Sequence, residues 1–377
     1  MSEFVACTVQ QQVKIYDIPL EYQADIFQFL QMAQAKQAKL VVLPALSPLM
    51  LVPPLASQTK IAQLRKKQDT RSGIAGLVGK LFSKSQEVSG EEQGGIHEEV
   101  VALLENHPGE IYDAYIDLFS AAALKYQMTI VAGSFYLREN EGVPSTHVSY
   151  VFGPNGMVLG RQEKIHLTGR ERKFCQAGQV LQVIETPIGK LGILIEEDVL
   201  YPECSRILAY NGVDMLINLS ACSGKPTFNQ MRNAFLARID ENSLLGLQSC
   251  LVGNNLIEPE GDRLSGKAAL LQPFQLSPYG DGVLYEVGSY NVEGFIAEPV
   301  SLEALREYWV QARDRVRQDM QMAVFSPLVD IYRRQRTLDQ VYWNPDDSSH
   351  QNRPAGQNRV NSSTSGGLVS PFATDED

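Results

Sequence analysis

The sequence predicts an α/β protein with helices laid over the faces of a buried sheet. Three observations carry this. Short aliphatic runs recur from Phe4 to Val287, longer segments of helical period lie between them, and Pro, Gly and Asn mark many of the boundaries. Phe4 to Val9 is a first strand. Pro19 to Ala38 alternates polar and apolar faces as an amphipathic helix does, and Leu40 to Leu43, stopped by Pro44, is a buried strand. Ile111 to Lys125 is helical, and Thr129 to Ala132 is a strand ending at Gly133. Ser149 to Phe152 and Met157 to Leu159 flank Gly153-Pro154-Asn155-Gly156 as a hairpin.

The middle of the chain is more legible. Leu181 to Glu185 and Leu191 to Ile195 are strands across the turn Pro187-Ile188-Gly189-Lys190. Pro202 to Tyr210 is a helix with Pro at its start and Asn211-Gly212 at its stop. Asp214 to Leu219 returns to strand, Asn229 to Leu245 is a helix closed by Gly246, and Gln248 to Gly253 follows as strand. Ala268 to Gln272 and Gly282 to Val287 add two more, and Leu302 to Met322 reads as an amphipathic C-terminal helix.

Composition narrows the function. Of 377 residues 44% are apolar, too many for a disordered chain, and no stretch nears the 18 apolar residues of a membrane span. Met1 to Gln10 lacks a basic start with a long apolar core, so no secretory leader and a cytoplasmic protein are the expectation. Lys and Arg total 33 against 44 Asp and Glu, a net charge of −11 that speaks against a nucleic-acid partner. Cys7, Cys175, Cys204, Cys222 and Cys250 are odd in number and widely spaced, without a CxxC pair. The five histidines form no ligand pair at helical spacing. No disulfide framework, structural metal or cofactor is expected.

Two segments break the α/β rhythm. An insert at about 54–105 contains Lys60 to Lys84, with seven Lys or Arg against the single acid Asp69 and an apolar run around Leu77, Leu81 and Phe82. Such a segment can meet an anionic membrane or a protein partner, or fold back as a lid. Residues 344–377, rich in Asn, Ser, Gly, Asp and Pro, are expected to be a disordered tail. What remains is one domain over residues 1–325.

From Gly160 to Asn254 the chain resembles the nitrilase superfamily of carbon–nitrogen hydrolases. The resemblance rests on Lys164-Ile165-His166-Leu167, on Glu171 seven residues before Gly178, and on the strand-turn-strand Thr186 to Ile195. Asp198 with Tyr201-Pro202-Glu203, and then Asn211-Gly212-Val213-Asp214, complete it. Fainter matches run from Phe4 to about Leu305. The resemblance implies a four-layer α-β-β-α sandwich, a homo-oligomer, and a catalytic Glu-Lys-Cys set. In that set a thiolate attacks a nitrile or amide carbon, a glutamate acts as general base and a lysine holds the oxyanion.

The sequence departs from this pattern at two positions. The family cysteine stands two residues before the elbow Asp; here Glu196 stands there. The family base follows the Pro that ends its strand; here Pro44 is followed by Ala45. A carboxylate is a weak nucleophile toward an amide, and Ala45 accepts no proton. The site residues are therefore Lys164, Glu171, Glu196 in the nucleophile position and Ala45 in the general-base position. They predict a pseudoenzyme with a small amide- or carboxylate-like ligand, its pocket held by a Lys164–Glu196 ion pair. Two alternatives stand beside it. Glu196 could act as general base on water with Lys164 as oxyanion stabiliser, or Glu196 and Asp198, on one side of an extended strand, could bind a divalent cation. The bland placement has Asp198 capping the elbow turn, Glu197 facing the other side, and Cys204 and Cys222 packed in the core. Ser134, Ser220 and Ser223 have no histidine and acid at an informative spacing.

Overall fold

The structure, a computed structural model, describes residues 3–52, 108–139, 142–255 and 262–311. The insert at about 54–105, the tail 344–377, the domain limit at 325 and the helix beyond Gln311 lie outside the described residues.

Strand β1 (Glu3–Gln12), helix α1 (Pro19–Ala35) and β2 (Ala38–Val42) open the chain. Next come α2 (Pro108–Tyr126), β3 (Thr129–Leu137), β4 (Ser145–Phe152), β5 (Val158–Glu163) and the two-residue β6 (Cys175–Gln176). They are followed by β7 (Ile184–Thr186), β8 (Gly189–Ile195), α3 (Pro202–Tyr210), β9 (Met215–Ser220), α4 (Gly224–Asn242) and β10 (Leu245–Val252). Strands β11 (Ala269–Leu271), β12 (Val283–Glu286) and β13 (Gly294–Ser301) lead to α5 (Leu302–Gln311).

The strands join in the order β5-β4-β3-β2-β1-β10-β9-β8-β7, with β13 antiparallel on β1 and β11 antiparallel on β10. From β3 to β8 along this path the strands are parallel, as helical crossovers require. The path curls until its two ends meet: a methyl group on Gly160 of β5 would lie 3.0 Å from the Ile184 side chain of β7. Period-two alternation then sorts the side chains. Ile193, Ile195, Ile217, Leu219, Leu247 and Leu251 enter the core shared with the β1–β4 half. Leu194, Leu216, Cys250 and Val252 turn the other way, onto Leu208 of α3 and Phe228, Phe235 and Ile239 of α4. With α1 and α2 packed on β2 and β3, the result is helix, sheet, sheet, helix: the expected α/β four-layer arrangement. Among the described residues no helix is long and apolar enough to cross a membrane.

Several boundaries move. β3 continues five residues past Ala132, and Gly133 is a bulge inside it, where pairing with β4 shifts register between Val131 and Ser134. Its φ of 76° suits glycine, and a Cβ there would meet the Pro44 carbonyl oxygen at 2.4 Å. α4 ends at Asn242 rather than Leu245. Ser243, at φ 53°, makes the left-handed stop, and Gly246 lies within β10, where the Ile239 side chain leaves no room for a Cβ. β13 escaped prediction because Glu298 and Pro299 interrupt its apolar pattern; Pro is tolerated there since, among the described residues, β13 pairs only with β1.

Candidate functional site

Lys164 follows the last residue of β5, Glu196 follows β8, and Ala45 follows β2 by three residues. The loops after β2 and β8 leave the carboxyl ends of parallel strands, where open α/β sheets form ligand crevices. Lys164 is fixed through its backbone, its N–H donating to the His147 carbonyl at 2.7 Å and its carbonyl accepting from Gly178 N–H at 2.8 Å. Its side chain is completely buried, and Nζ lies 2.8 Å from Glu171 Oε2, 2.8 Å from Glu196 Oε2 and 2.6 Å from Glu197 Oε2.

Three carboxylates around one ammonium set the electrostatics. Burial works against the charge on Lys164, but Glu196, Glu197 and Glu171 outweigh it and raise its pKa. Burial also works against Glu171, yet its hydrogen bond to His147 and the Lys164 charge hold the carboxyl well below its ordinary range. Glu196 goes the other way: burial, together with Glu197 and against the pull of Lys164, pushes it up to about 7.

Glu171 is the most firmly held of the three. Its Oε1 is 2.8 Å from His147 Nδ1 and accepts from the Tyr136 hydroxyl at 3.3 Å, and its Oε2 accepts from Thr168 N–H at 2.8 Å. His147 Nε2 lies 2.8 Å from Ser134 Oγ. The fold thus brings to Ser134 the histidine and acid that spacing did not reveal. Both Ser134 and His147 are fully buried and outside the cavity wall, so this chain anchors Glu171 and presents no nucleophile.

Three expectations about the elbow are corrected. β8 ends at Ile195, and Glu196 to Leu200 form a 3₁₀ turn in which successive side chains point about 120° apart. Glu196, at φ 49°, and Asp198 therefore diverge instead of sharing one side of a strand. Asp198 accepts from Ile165 N–H at 3.0 Å and His166 N–H at 2.8 Å, and lies 2.9 Å from His166 Nδ1. It braces the lysine loop rather than capping its own turn. Glu197 does not face away; it is the third partner of Lys164.

Ala45 is fully buried and forms a backbone bridge with Ser134. Its methyl group offers neither charge nor hydrogen bond to the site. A cavity of about 150 Å³ opens over the carboxylates, with Glu171, Glu196 and Glu197 in its wall beside Tyr136, Phe174, Cys222, Met231 and Leu264. Cys222 is therefore both a core residue and a cavity residue, its thiol pushed well up by burial. Among the described residues, two groups bring metal-ligating atoms together: His147, Glu171 and Glu196, and His166, Asp198 and Cys204. In the first, Lys164 Nζ already touches both carboxylates. In the second, both Asp198 oxygens already accept backbone N–H groups.

The sequence profile of the carbon–nitrogen hydrolase family matches residues 9–240, and the chain belongs to that family. It is 29% identical over 199 residues to the probable hydrolase YhcX of Bacillus subtilis, an alignment covering 52% of this chain and 38% of YhcX. It is 30% identical over 187 residues to a nitrilase of Pyrococcus abyssi, covering 49% of this chain and 67% of that one. The chain thus spans well under half of YhcX. Among solved structures, a carbon–nitrogen hydrolase from Helicobacter pylori superposes with a TM-score of 0.63 at 18% identity, over 87% of this chain and 98% of the other, a likeness of fold.

Proposed function

We propose that this carbon–nitrogen hydrolase family member binds a small molecule in the cavity over Glu196 and Glu197 without amidase or nitrilase turnover. The observation that carries it is the Glu196 carboxylate, set on a left-handed backbone at the end of β8 and 2.8 Å from Lys164 Nζ. The family's chemistry needs a thiolate at this elbow; here a carboxylate, a weak nucleophile toward an amide, takes its place and pairs with the lysine ammonium. Ala45 leaves the general-base position without a proton acceptor. Ammonia release from aliphatic amides, nitriles and carbamoyl compounds tests this. Wild type and Lys164→Ala should both match buffer; turnover that Lys164→Ala abolishes would overturn it.

One observation favours a second reading. Glu196 borders the cavity, and its carboxyl, raised by burial to about 7, is suited to take a proton from water near neutral pH. On that reading hydrolysis of a C–N bond rises through pH 7 and disappears in Glu196→Gln, an outcome the same assay reads.

A further inference from the structure

We propose a second site, apart from the cavity, in which His166 Nδ1, Asp198 Oδ1 and Cys204 Sγ bind one Zn²⁺-like divalent cation. None of these residues lines the cavity over Glu196, so the assignment stands or falls independently of the ligand reading above.

The three ligands arrive from separate elements. His166 lies in the loop after β5, Asp198 in the 3₁₀ turn after β8, and Cys204 in the first turn of α3. Nδ1 is 2.9 Å from Oδ1 and 3.9 Å from Sγ, and the three atoms lie within 4.8 Å of one another. Metal bonds of about 2.0–2.3 Å at tetrahedral angles set such atoms about 3.3–3.6 Å apart. One gap has to open and the other to close, each by less than about half an ångström.

The contacts distinguish a cation site from a proton relay. A relay of thiol, imidazole and acid puts the thiol on one ring nitrogen and the acid on the other. Here both meet Nδ1, which carries at most one proton and so cannot donate to both. An ion in that place serves all three. The ligands are also held in position. Both Asp198 oxygens accept a backbone N–H, from Ile165 and His166, which aims the carboxylate and leaves lone pairs for a metal. The His166 ring stacks on Tyr201 with centroids 3.4 Å apart and planes 4° from parallel, which fixes its tilt. Asp198 and Cys204 are buried, whereas the His166 side chain is 32% exposed and leaves a path from solvent. Burial, Asp198 and Glu203 all oppose ionisation of the Cys204 thiol, and a dication on the sulfur reverses that balance.

The mixed donor set selects the ion. Thiolate with imidazole suits Zn²⁺ and its spectroscopic stand-in Co²⁺, whereas Mg²⁺ and Ca²⁺ take oxygen ligands. Three protein ligands leave the fourth position to water. Once bound, the ion ties the lysine loop to the elbow and to the start of α3.

Co²⁺ titration of the chelator-treated full chain, read by absorption, tests the site. One Co²⁺ per chain should raise a near-ultraviolet thiolate-to-cobalt band that Zn²⁺ removes and Mg²⁺ does not. Cys204→Ala should lose the band. His166→Phe, which keeps a ring on Tyr201, should weaken binding by about tenfold or more. Cys175→Ala should leave the band in place, and circular dichroism should show that each variant folds. Zn²⁺ should also raise the melting temperature of the wild type and not of Cys204→Ala. A wild type without the band overturns the assignment whatever the variants do. So does a band kept by Cys204→Ala, a band lost in Cys175→Ala, or unchanged affinity in His166→Phe.

Discussion

Lys164 and Glu196, 32 residues apart in the chain, meet at 2.8 Å inside the protein. The lysine comes from the end of β5 and the glutamate from the end of β8, so their contact joins one end of the curled strand path to the strand beside its other end. Each charge makes the other's burial affordable, and Glu171 and Glu197 complete the group.

Removing the lysine should therefore cost more than removing one carboxylate. Lys164→Met leaves Glu171, Glu196 and Glu197 without their cation, and urea unfolding at pH 7 should show a loss of about 3–5 kcal/mol. Glu196→Gln keeps an acceptor near Nζ, leaves two carboxylates and removes a charge that burial disfavours, so at pH 7 it should cost little or nothing. Equal losses in the two variants would mean that the lysine is not the hub of the cluster.

The bulge at Gly133 is a second sensitive point, one residue before the Ser134 that contacts His147. Alanine there must hold a φ near 76° and place its Cβ 2.4 Å from the Pro44 carbonyl oxygen, on backbone that cannot swing aside like a side chain. Strain and clash together should cost about 3 kcal/mol. The displaced Pro44 would also disturb the backbone bridge from Ala45 to Ser134. A Gly133→Ala melting curve superimposable on wild type would show that β2 and β3 separate more easily than their packing implies.

Lys164, Glu171 and Glu196 were legible in the sequence because each sits in a motif whose spacing survives. Glu197 was not, because strand alternation continued through Asp198 turns it away from the lysine. With β8 ended at Ile195 and a 3₁₀ turn begun, the neighbouring glutamate rotates toward the lysine. His147 was hidden for a different reason. Its role depends on pairing across β3 and β4, which sets it opposite Tyr136 and within reach of Ser134 and Glu171. Nothing in the local sequence of a buried strand states which residue will lie across from it. The strand–helix alternation itself was plain, since period two and period 3.6 are local properties.

The cysteines give a chemical check on burial. Cys7, Cys175 and Cys204 are pushed up to about 12, chiefly by burial, Cys250 is higher still, and Cys222 too is raised well above the ordinary thiol range. At pH 8 the thiolate fraction of such groups is on the order of one in ten thousand. A disulfide reagent should therefore label less than one thiol per native chain quickly and all five in urea. Fast labelling of a native thiol, assigned to Cys222 by peptide mapping, would show that its burial beside the cavity is transient.

The opposed shifts of Glu196 and Glu171 fix the direction in which stability changes with pH. Glu196 titrates near 7 in the folded protein and near its ordinary 4.5 when unfolded. Between those values the folded state holds a proton that the unfolded state has lost, so stability falls as pH rises from 4.5 to 7, by on the order of 3 kcal/mol. Glu171, held low by His147 and Lys164, contributes the opposite slope, and its stabilisation is lost as pH drops below the ordinary carboxylate range. Urea midpoints should therefore peak at mildly acidic pH rather than at neutrality. In Glu196→Gln the decline between pH 4.5 and 7 should flatten while the acid side stays in place. Parallel wild-type and Glu196→Gln profiles across that window would mean that Glu196 keeps an ordinary carboxyl, and that Lys164 compensates its burial in full.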